Sequence, residues 1–394
     1  MSLNNTPKGE RLHIGIFGRR NAGKSSIINA ITDQNIAIVS DVKGTTTDPV
    51  YKAMELLPIG PVMIIDTPGI DDEGELGSER VKASYRVLNK CDVALLVVDA
   101  RDGFTDGDIA LLDKIKEKKI PYTIAFNKCD VAKGNEEGVI YCSAKEGINI
   151  DLLKGAIIKT ASIEKPDKKI VGDLINEGDT VLLVVPIDSA APKGRLILPQ
   201  QQTVRDILDS DCVAVVVKED KVKEAVRKYS PNLVVCDSQI FGKVKNDVPQ
   251  CVPLTSFSIL FARYKGDLEA NLEGVEKLDN LTDGDVVLVS EGCTHHRQCG
   301  DIGTIKMPMW IKKHTGRDLT FEFTHGGEFP ENLTKYALVV HCGGCMLNEK
   351  EMKYRIALSR DAGVPIVNYG MAIAHMNGIL ERSLEPLNTK KVTE

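Results

Sequence analysis

Residues 12–30 read LHIGIFGRRNAGKSSIINA: a short apolar run, a loop bounded by Gly18 and Gly23 and closed by Lys24-Ser25, then a helix-like pattern. Four residues between the two glycines let a backbone wrap a phosphate with its N–H groups pointing inward, where side chains would obstruct it. Lys24 supplies a mobile positive charge for the β and γ phosphates and Ser25 a hydroxyl for Mg2+. The helix turns its N-terminus to the anion, and Ala22 and Ser26 complete the cradle. A glycine-rich turn that matches by chance is the plain competitor. The strand before the loop and the helix after it are the context a phosphate loop requires.

Working outward, apolar β-branched runs at residues 13–17, 62–66, 93–99, 122–127 and 139–142 alternate with helical patterns, which predicts an α/β domain with a parallel, doubly wound sheet. Such sheets bind ligands at the carboxyl ends of their strands. Asp66-Thr67-Pro68-Gly69 follows one strand, placing Asp66 to hold Mg2+ through water and the Gly69 N–H to sense the γ phosphate. Between the loops lies Gly44-Thr45-Thr46-Thr47-Asp48, where Thr46 is the preferred metal hydroxyl and Thr45 the second choice. Asn127-Lys128-Cys129-Asp130 reads the base: a carboxylate accepts from the two N–H donors on the guanine edge, and adenine offers no such pair. That makes the nucleotide GTP. The Lys128 stem can lie over the purine, and Ser143-Ala144-Lys145 can offer backbone N–H to the guanine oxygen.

These motifs resemble the Era and MnmE branch of small GTPases over roughly the first 160 residues of the chain. By that resemblance Asn21 helps place K+ beside the phosphates, so stimulation by K+ is implied. Ile70 stands where Ras-like proteins carry a water-orienting glutamine, which implies slow intrinsic hydrolysis. Asp71, Asp72 and Glu73 are nearby acids that could orient water, although acidic loop residues are mostly solvated.

At 394 residues, the chain accommodates two or three domains of the usual roughly 100–200 residues. A net charge of −6 and a pI near 5.8 leave no basic footprint, which argues against a nucleic-acid partner. The first dozen residues are polar and lack the apolar core of a signal peptide, and no apolar run reaches the roughly 20 residues needed to cross a bilayer. No membrane association and a reducing cytoplasm are expected. There, the ten cysteines are read as metal or redox groups before disulfides.

Residues 162–169, SIEKPDKK, suit an exposed boundary, giving domains 1–165, 166–268 and 269–394. The middle domain is a small α/β unit with strands at 181–185, 214–217 and 233–236, and without catalytic groupings. Its Cys212, Cys236 and Cys251 are isolated, as are Cys91, Cys129 and Cys142 earlier, and such cysteines are usually small buried hydrophobes. A structural or oligomeric role is expected.

The last domain carries a second chemistry. A strand at 285–290 ends in Glu291-Gly292-Cys293-Thr294-His295-His296, and another at 336–340 ends in His341-Cys342-Gly343-Gly344-Cys345. If the strands are parallel neighbours, about 5 Å apart, Cys293, Cys342 and Cys345 meet over one small volume, and a helix starting near Asn348 would stabilise their charge. Three thiolates favour an iron–sulfur cluster or Zn2+. A fourth ligand is open among His295, His341, Cys299, a carboxylate and an outside donor. An all-thiolate zinc site and a thioredoxin-like dithiol are the competing readings. His13, His314, His325 and His375 read as ordinary surface or core histidines.

The combination of a P-loop with Cys293-Thr294-His295 and His341-Cys342-Gly343-Gly344-Cys345 resembles the HydF family, maturation GTPases of iron-iron hydrogenases, over the whole chain. The resemblance implies a middle domain that makes a homodimer and a last domain that binds a 4Fe-4S cluster. It implies a scaffold and carrier for the di-iron subcluster, with the radical-SAM maturases HydE and HydG and the hydrogenase as partners. The alternative is a ribosome- or tRNA-associated GTPase with a C-terminal zinc module.

Overall fold

The computed structural model describes residues 6–32, 49–70, 75–132, 134–162, 168–187, 196–292 and 301–388. The chain forms two compact units, Met1–Pro166 and Asp167–Glu394.

In the first unit β1 (Leu12–Phe17) leads to α1 (Lys24–Thr32), then β2 (Val50–Leu56), β3 (Gly60–Asp66), α2 (Glu75–Leu88), β4 (Val93–Asp99), α3 (Asp106–Glu117), β5 (Tyr122–Asn127), β6 (Ile140–Tyr141) and α4 (Ile150–Ala161). The sheet order is β2-β3-β1-β4-β5-β6, and β2 alone runs antiparallel, paired to β3 from Val50↔Asp66 to Leu56↔Gly60. Every residue of β4 is buried, as expected of a central parallel strand covered on both faces. Ile27, Ile28 and Ile31 of α1 pack with Leu153 and Ile157 of α4 on one face, and Leu111 and Ile115 of α3 cover the other. The predicted parallel sheet is therefore present. The antiparallel edge strand β2 was not foreseen, because VYKAMEL mixes exposed and half-buried positions and offers little apolar signal.

The second unit contains β7 (Thr180–Val184), α5 (Leu198–Leu208), β8 (Val213–Val217), α6 (Val222–Tyr229), β9 (Leu233–Cys236), α7 (Phe241–Asp247), β10 (Leu254–Ser256), α8 (Phe257–Lys265) and α9 (Leu268–Asp279). It continues with β11 (Val286–Glu291), α10 (Met307–Thr315), β12 (Thr320–His325), β13 (Leu338–His341), α11 (Glu349–Asp361), β14 (Ile366–Asn368), α12 (Tyr369–Met376) and α13 (Leu380–Asn388). Two parallel four-stranded sheets result, β10-β9-β7-β8 and β12-β11-β13-β14. One apolar cluster joins Leu182, Val184 and Val234 of the first sheet to Val287, Val340 and Val367 of the second. The sequence boundary near residue 268 thus runs through shared packing. β12 and β14 escaped sequence reading: the first is a half-exposed edge and the second has three residues.

Candidate functional site

The phosphate loop leaves β1 with Gly18 at φ +146°, Asn21 at +61° and Gly23 at +91°. A Cβ on Gly18 would collide with the Val97 carbonyl, and one on Gly23 with the Asn127 side-chain amide. Lys24 is buried, and its Nζ donates to the carbonyls of Gly18 and Arg19, each at 2.9 Å, so the ammonium already lies across the mouth of its own loop. Ser25 and Ser26 follow in the first turn of α1. Gly23→Ala is expected to cost about 1–3 kcal/mol, since it forces an L residue to positive φ and pushes Asn127 away. Chemical denaturation should show that loss, together with weaker GTP binding.

Ser25 Oγ donates to Asp66 Oδ2 at 2.9 Å, joining the loop to the end of β3. Burial raises the Asp66 carboxyl above its ordinary value, against the Ser25 hydrogen bond and the nearby Lys24 and Lys52 charges. Thr67 fixes the next turn through Oγ1 to Ile16 O at 2.6 Å, and Ser84 Oγ reaches Pro68 O at 3.0 Å. Gly69 is half-buried at the following turn. Gly44 to Asp48, with Thr45 and Thr46, and residues 71–73 lie outside the described residues.

The base-reading segment closes the site from β5. Asn127 is buried, donating through Nδ2 to Ala22 O and accepting from Ala144 N, both at 3.0 Å, so one side chain ties the phosphate loop to the Ser143-Ala144-Lys145 turn. Lys128, at φ +69°, donates to Asn21 O and to Asp99 Oδ2, each at 2.6 Å. Burial pushes the Asp99 carboxyl up, but hydrogen bonds from Arg101 and Lys128 outweigh it and hold it well below the usual carboxylate range. Asp99 was missed from sequence; it ends β4 beside Asn127 of β5, and that register was its only signal. Asp130 is exposed, and the Ser143 hydroxyl, with smaller help from Lys145 and Lys128, keeps its carboxyl below the ordinary value. It stays ionised, as a guanine acceptor must be.

In the second unit β11 and β13 are parallel neighbours, with Ser290↔His341 in register. Gly292 N donates to Cys342 Sγ at 3.0 Å and Gly344 N to the same sulfur at 3.4 Å. Gly344 needs its φ of +61°, and a Cβ there would press on Met352 Sδ at 2.5 Å. α11 begins where expected, with Asn348 as its N-cap. The expected stabilisation of charge is nevertheless not what dominates: burial pushes the Cys345 thiol up, Cys342 adds to this, and Lys265 opposes it. Cys293, His295, His296 and Cys299 lie outside the described residues.

His341 has a different position from the one expected of a ligand. It is 1% exposed, with Nδ1 2.6 Å from Cys342 O and Nε2 3.0 Å from Arg355 Nη1. A carbonyl only accepts and a guanidinium only donates, so the proton sits on Nδ1 and both ring nitrogens are engaged. In this arrangement His341 supports the cysteine loop and offers no lone pair to a metal. Arg355, also fully buried, pairs with Glu351 at 3.0 Å and donates to Gly326 O at 2.7 Å, forming a polar floor under the loop. His325 likewise has company: Nδ1 lies 3.3 Å from Glu291 Oε2 at the ends of β12 and β11. The His325 contact could not be read from sequence, because β12 itself was not.

The first unit is a P-loop GTPase domain, and the second an α/β pair that ends in a cysteine loop. A family model described as 50S ribosome-binding GTPase matches residues 13–128, one described as the hydrogen maturase F dimerization domain matches 170–266, and one described as the hydrogen maturase F tetramerization domain matches 269–386. The chain belongs to the hydrogen maturase F family. Its GTPase domain is similar to the tRNA modification GTPase MnmE of Nitrosomonas europaea, 34% identical over 160 residues, which are 39% of this chain and 35% of that protein. MnmE of Legionella pneumophila strain Corby is 37% identical over 155 residues, 38% of this chain and 34% of that protein. The chain thus spans about a third of the length of these curated relatives. A crystal structure of Aquifex aeolicus Era aligns at 20% identity with a TM-score of 0.36, covering 55% of this chain and 97% of that one. The two hydrogen maturase F models fall on the segments read from sequence as the dimerisation domain and the cluster domain, and both are described by oligomerisation. Among the described residues, no helix is long and apolar enough to cross a membrane.

Proposed function

We propose that this chain is a GTP-hydrolysing maturation factor of iron-iron hydrogenases, a scaffold and carrier that binds a 4Fe-4S cluster and the di-iron subcluster. The observation that carries the reading is the union of the two hydrogen maturase F domains with a parallel β11–β13 pair that brings the Gly292 amide onto Cys342 Sγ. Cys293 follows Gly292 by one peptide unit, a step of about 3.8 Å between Cα atoms, so the connectivity supports its meeting Cys342 and Cys345. The donor set fits an iron–sulfur cluster: soft sulfurs, amides aimed at one of them, and glycines that admit close approach. When bound, such a cluster supplies a soft, redox-active iron centre. With His341 engaged elsewhere, the fourth position falls to His295, Cys299, a carboxylate such as Glu291, or an exogenous donor.

In the GTPase domain, Gly18, Asn21, Ala22, Gly23, Lys24, Ser25 and Ser26 hold the phosphates. Asn127, Lys128, Asp130, Ser143, Ala144 and Lys145 hold guanine. Mg2+, which offsets phosphate charge in this chemistry, would rest on Ser25, on Thr46 and, through water, on Asp66. Lys24 and the Gly69 amide would then stabilise the transferring phosphoryl group. Hydrolysis is slow without help because Ile70 cannot orient water, and K+ beside Asn21 accelerates it. Nucleotide state acts through the segments around Thr46 and Gly69 to change affinity for HydE, HydG or the hydrogenase. A reducing cytoplasm is the setting in which cysteines serve as metal ligands before they pair as disulfides.

For assembly, β8 is an edge strand exposing Val213 and Val216 at 51% and 44% within the dimerization-domain match. An apolar edge of that kind pairs with another chain unless charge blocks it. We expect Val216→Lys to reduce the oligomer by light scattering while GTP hydrolysis stays within about twofold.

The functional test is to purify the chain anaerobically, load it with HydE and HydG, and add the hydrogenase apoprotein. Brown protein with iron and sulfide that elicits hydrogen evolution is expected. Loaded protein that leaves the apoprotein inactive overturns the proposal. A colourless protein with a zinc on its cysteines would favour the ribosome- or tRNA-associated reading, against which the confinement of MnmE likeness to the GTPase domain already counts.

A further inference from the structure

Three helices of the second unit that pack on one another, α9, α10 and α12, end at one point on the surface. Asp279 is the last residue of α9, His314 the penultimate residue of α10 and His375 the penultimate residue of α12. His314 Nε2 lies 2.8 Å from Asp279 Oδ1, and His375 Nε2 lies 2.8 and 2.9 Å from Oδ1 and Oδ2. The imidazole centroids are 5.4 Å apart with planes at 68°, and one donor atom from each residue falls within 4.8 Å of the others. Residues separated by up to 96 positions are thus focused on one small volume.

The physical setting favours a cation. Helix C-termini carry partial negative charge from unpaired carbonyls, and three of them add to the Asp279 carboxylate. Nearby lysines are directed elsewhere: Lys312 to Asp318 at 3.2 Å and Lys277 to Asn280 O at 3.5 Å. Two imidazole nitrogens and one carboxylate suit borderline divalent metals, whereas Mg2+ and Ca2+ prefer all-oxygen shells. Ligand distances of about 2.0–2.2 Å would need only a small inward movement of the rings. Binding requires each imidazole to present a lone pair at Nε2 in place of the proton it shares with Asp279.

The geometry points to a divalent transition-metal site of the zinc, cobalt or nickel class at Asp279, His314 and His375, with coordination positions open to solvent. It is separate from the cysteine loop and does not rest on the function proposed above. The plain competitor is a histidine–aspartate network that staples three helix ends.

The test uses the untagged full chain carrying Cys342→Ser and Cys345→Ser, stripped with chelator and titrated with Co2+. One saturable equivalent is expected, giving d–d absorption without a thiolate charge-transfer band, and Zn2+ should compete for it and raise the melting temperature. His314→Ala/His375→Ala on that background should abolish the equivalent and the thermal shift. Asp279→Asn, isosteric and kept for the case in which the double substitution does not fold, should weaken binding at least about tenfold. No saturable Co2+ binding by the parent chain, or binding that survives these substitutions unchanged, overturns the assignment in favour of the staple.

Discussion

Asp130→Asn is expected to lower affinity for GTP by about a hundredfold or more, because a charged acceptor of two N–H groups becomes a neutral amide that can accept from only one. The Asn127 and Lys128 contacts are independent of Asp130, so the loop should stay folded. Xanthosine triphosphate, with a carbonyl where guanine has its amino group, should gain affinity in the same variant, since the new amide can donate to it. Competition of both nucleotides against a fluorescent analogue reads the two effects together. Unchanged GTP affinity would remove Asp130 from the base site. The sign with pH is also set: Ser143 holds the carboxyl below its ordinary value, so binding should stay flat from neutral into mildly acidic pH and weaken only as Asp130 protonates.

The second large effect is expected at Cys342. Its sulfur already accepts from Gly292 N and Gly344 N, two donors of the kind that hold a thiolate at a cluster. Serine cannot ionise there at neutral pH. After anaerobic reconstitution, Cys342→Ser should retain little of the about four irons per chain that a 4Fe-4S cluster contributes. GTP hydrolysis should remain within about twofold, because the nucleotide motifs lie in the other compact unit. Cys251→Ser, which removes an exposed thiol, is the control and should keep its iron. Full cluster content in Cys342→Ser would sink the cysteine-loop reading even if the GTPase assignment stood.

Much of the nucleotide site was legible because its chemistry is local. A phosphate loop, a strand-ending acid and a base-reading tetrapeptide each carry their meaning within a few residues, and strand order then collects them at the carboxyl ends of the parallel strands. Asp99 was hidden by the same logic: its partner Lys128 comes from another strand, and only β4–β5 register joins them. His341, one of several open candidates for a fourth ligand, depends on tertiary packing in the same way. Its place beside Cys342 suggested a ligand, whereas Arg355, 14 residues away and folded beneath it on α11, occupies Nε2.

By itself the sequence determined the GTPase class, the two segments that deliver cysteines and the alternation that builds three sheets, since phosphate wrapping and apolar periodicity are written in nearest neighbours. Only the tertiary structure decided that β11 lies against β13, that His341 braces the cysteine loop from below, and that Asp279, His314 and His375 meet. Those outcomes depend on which strands share an edge and where helices stop, and no spacing along the chain encodes either distance.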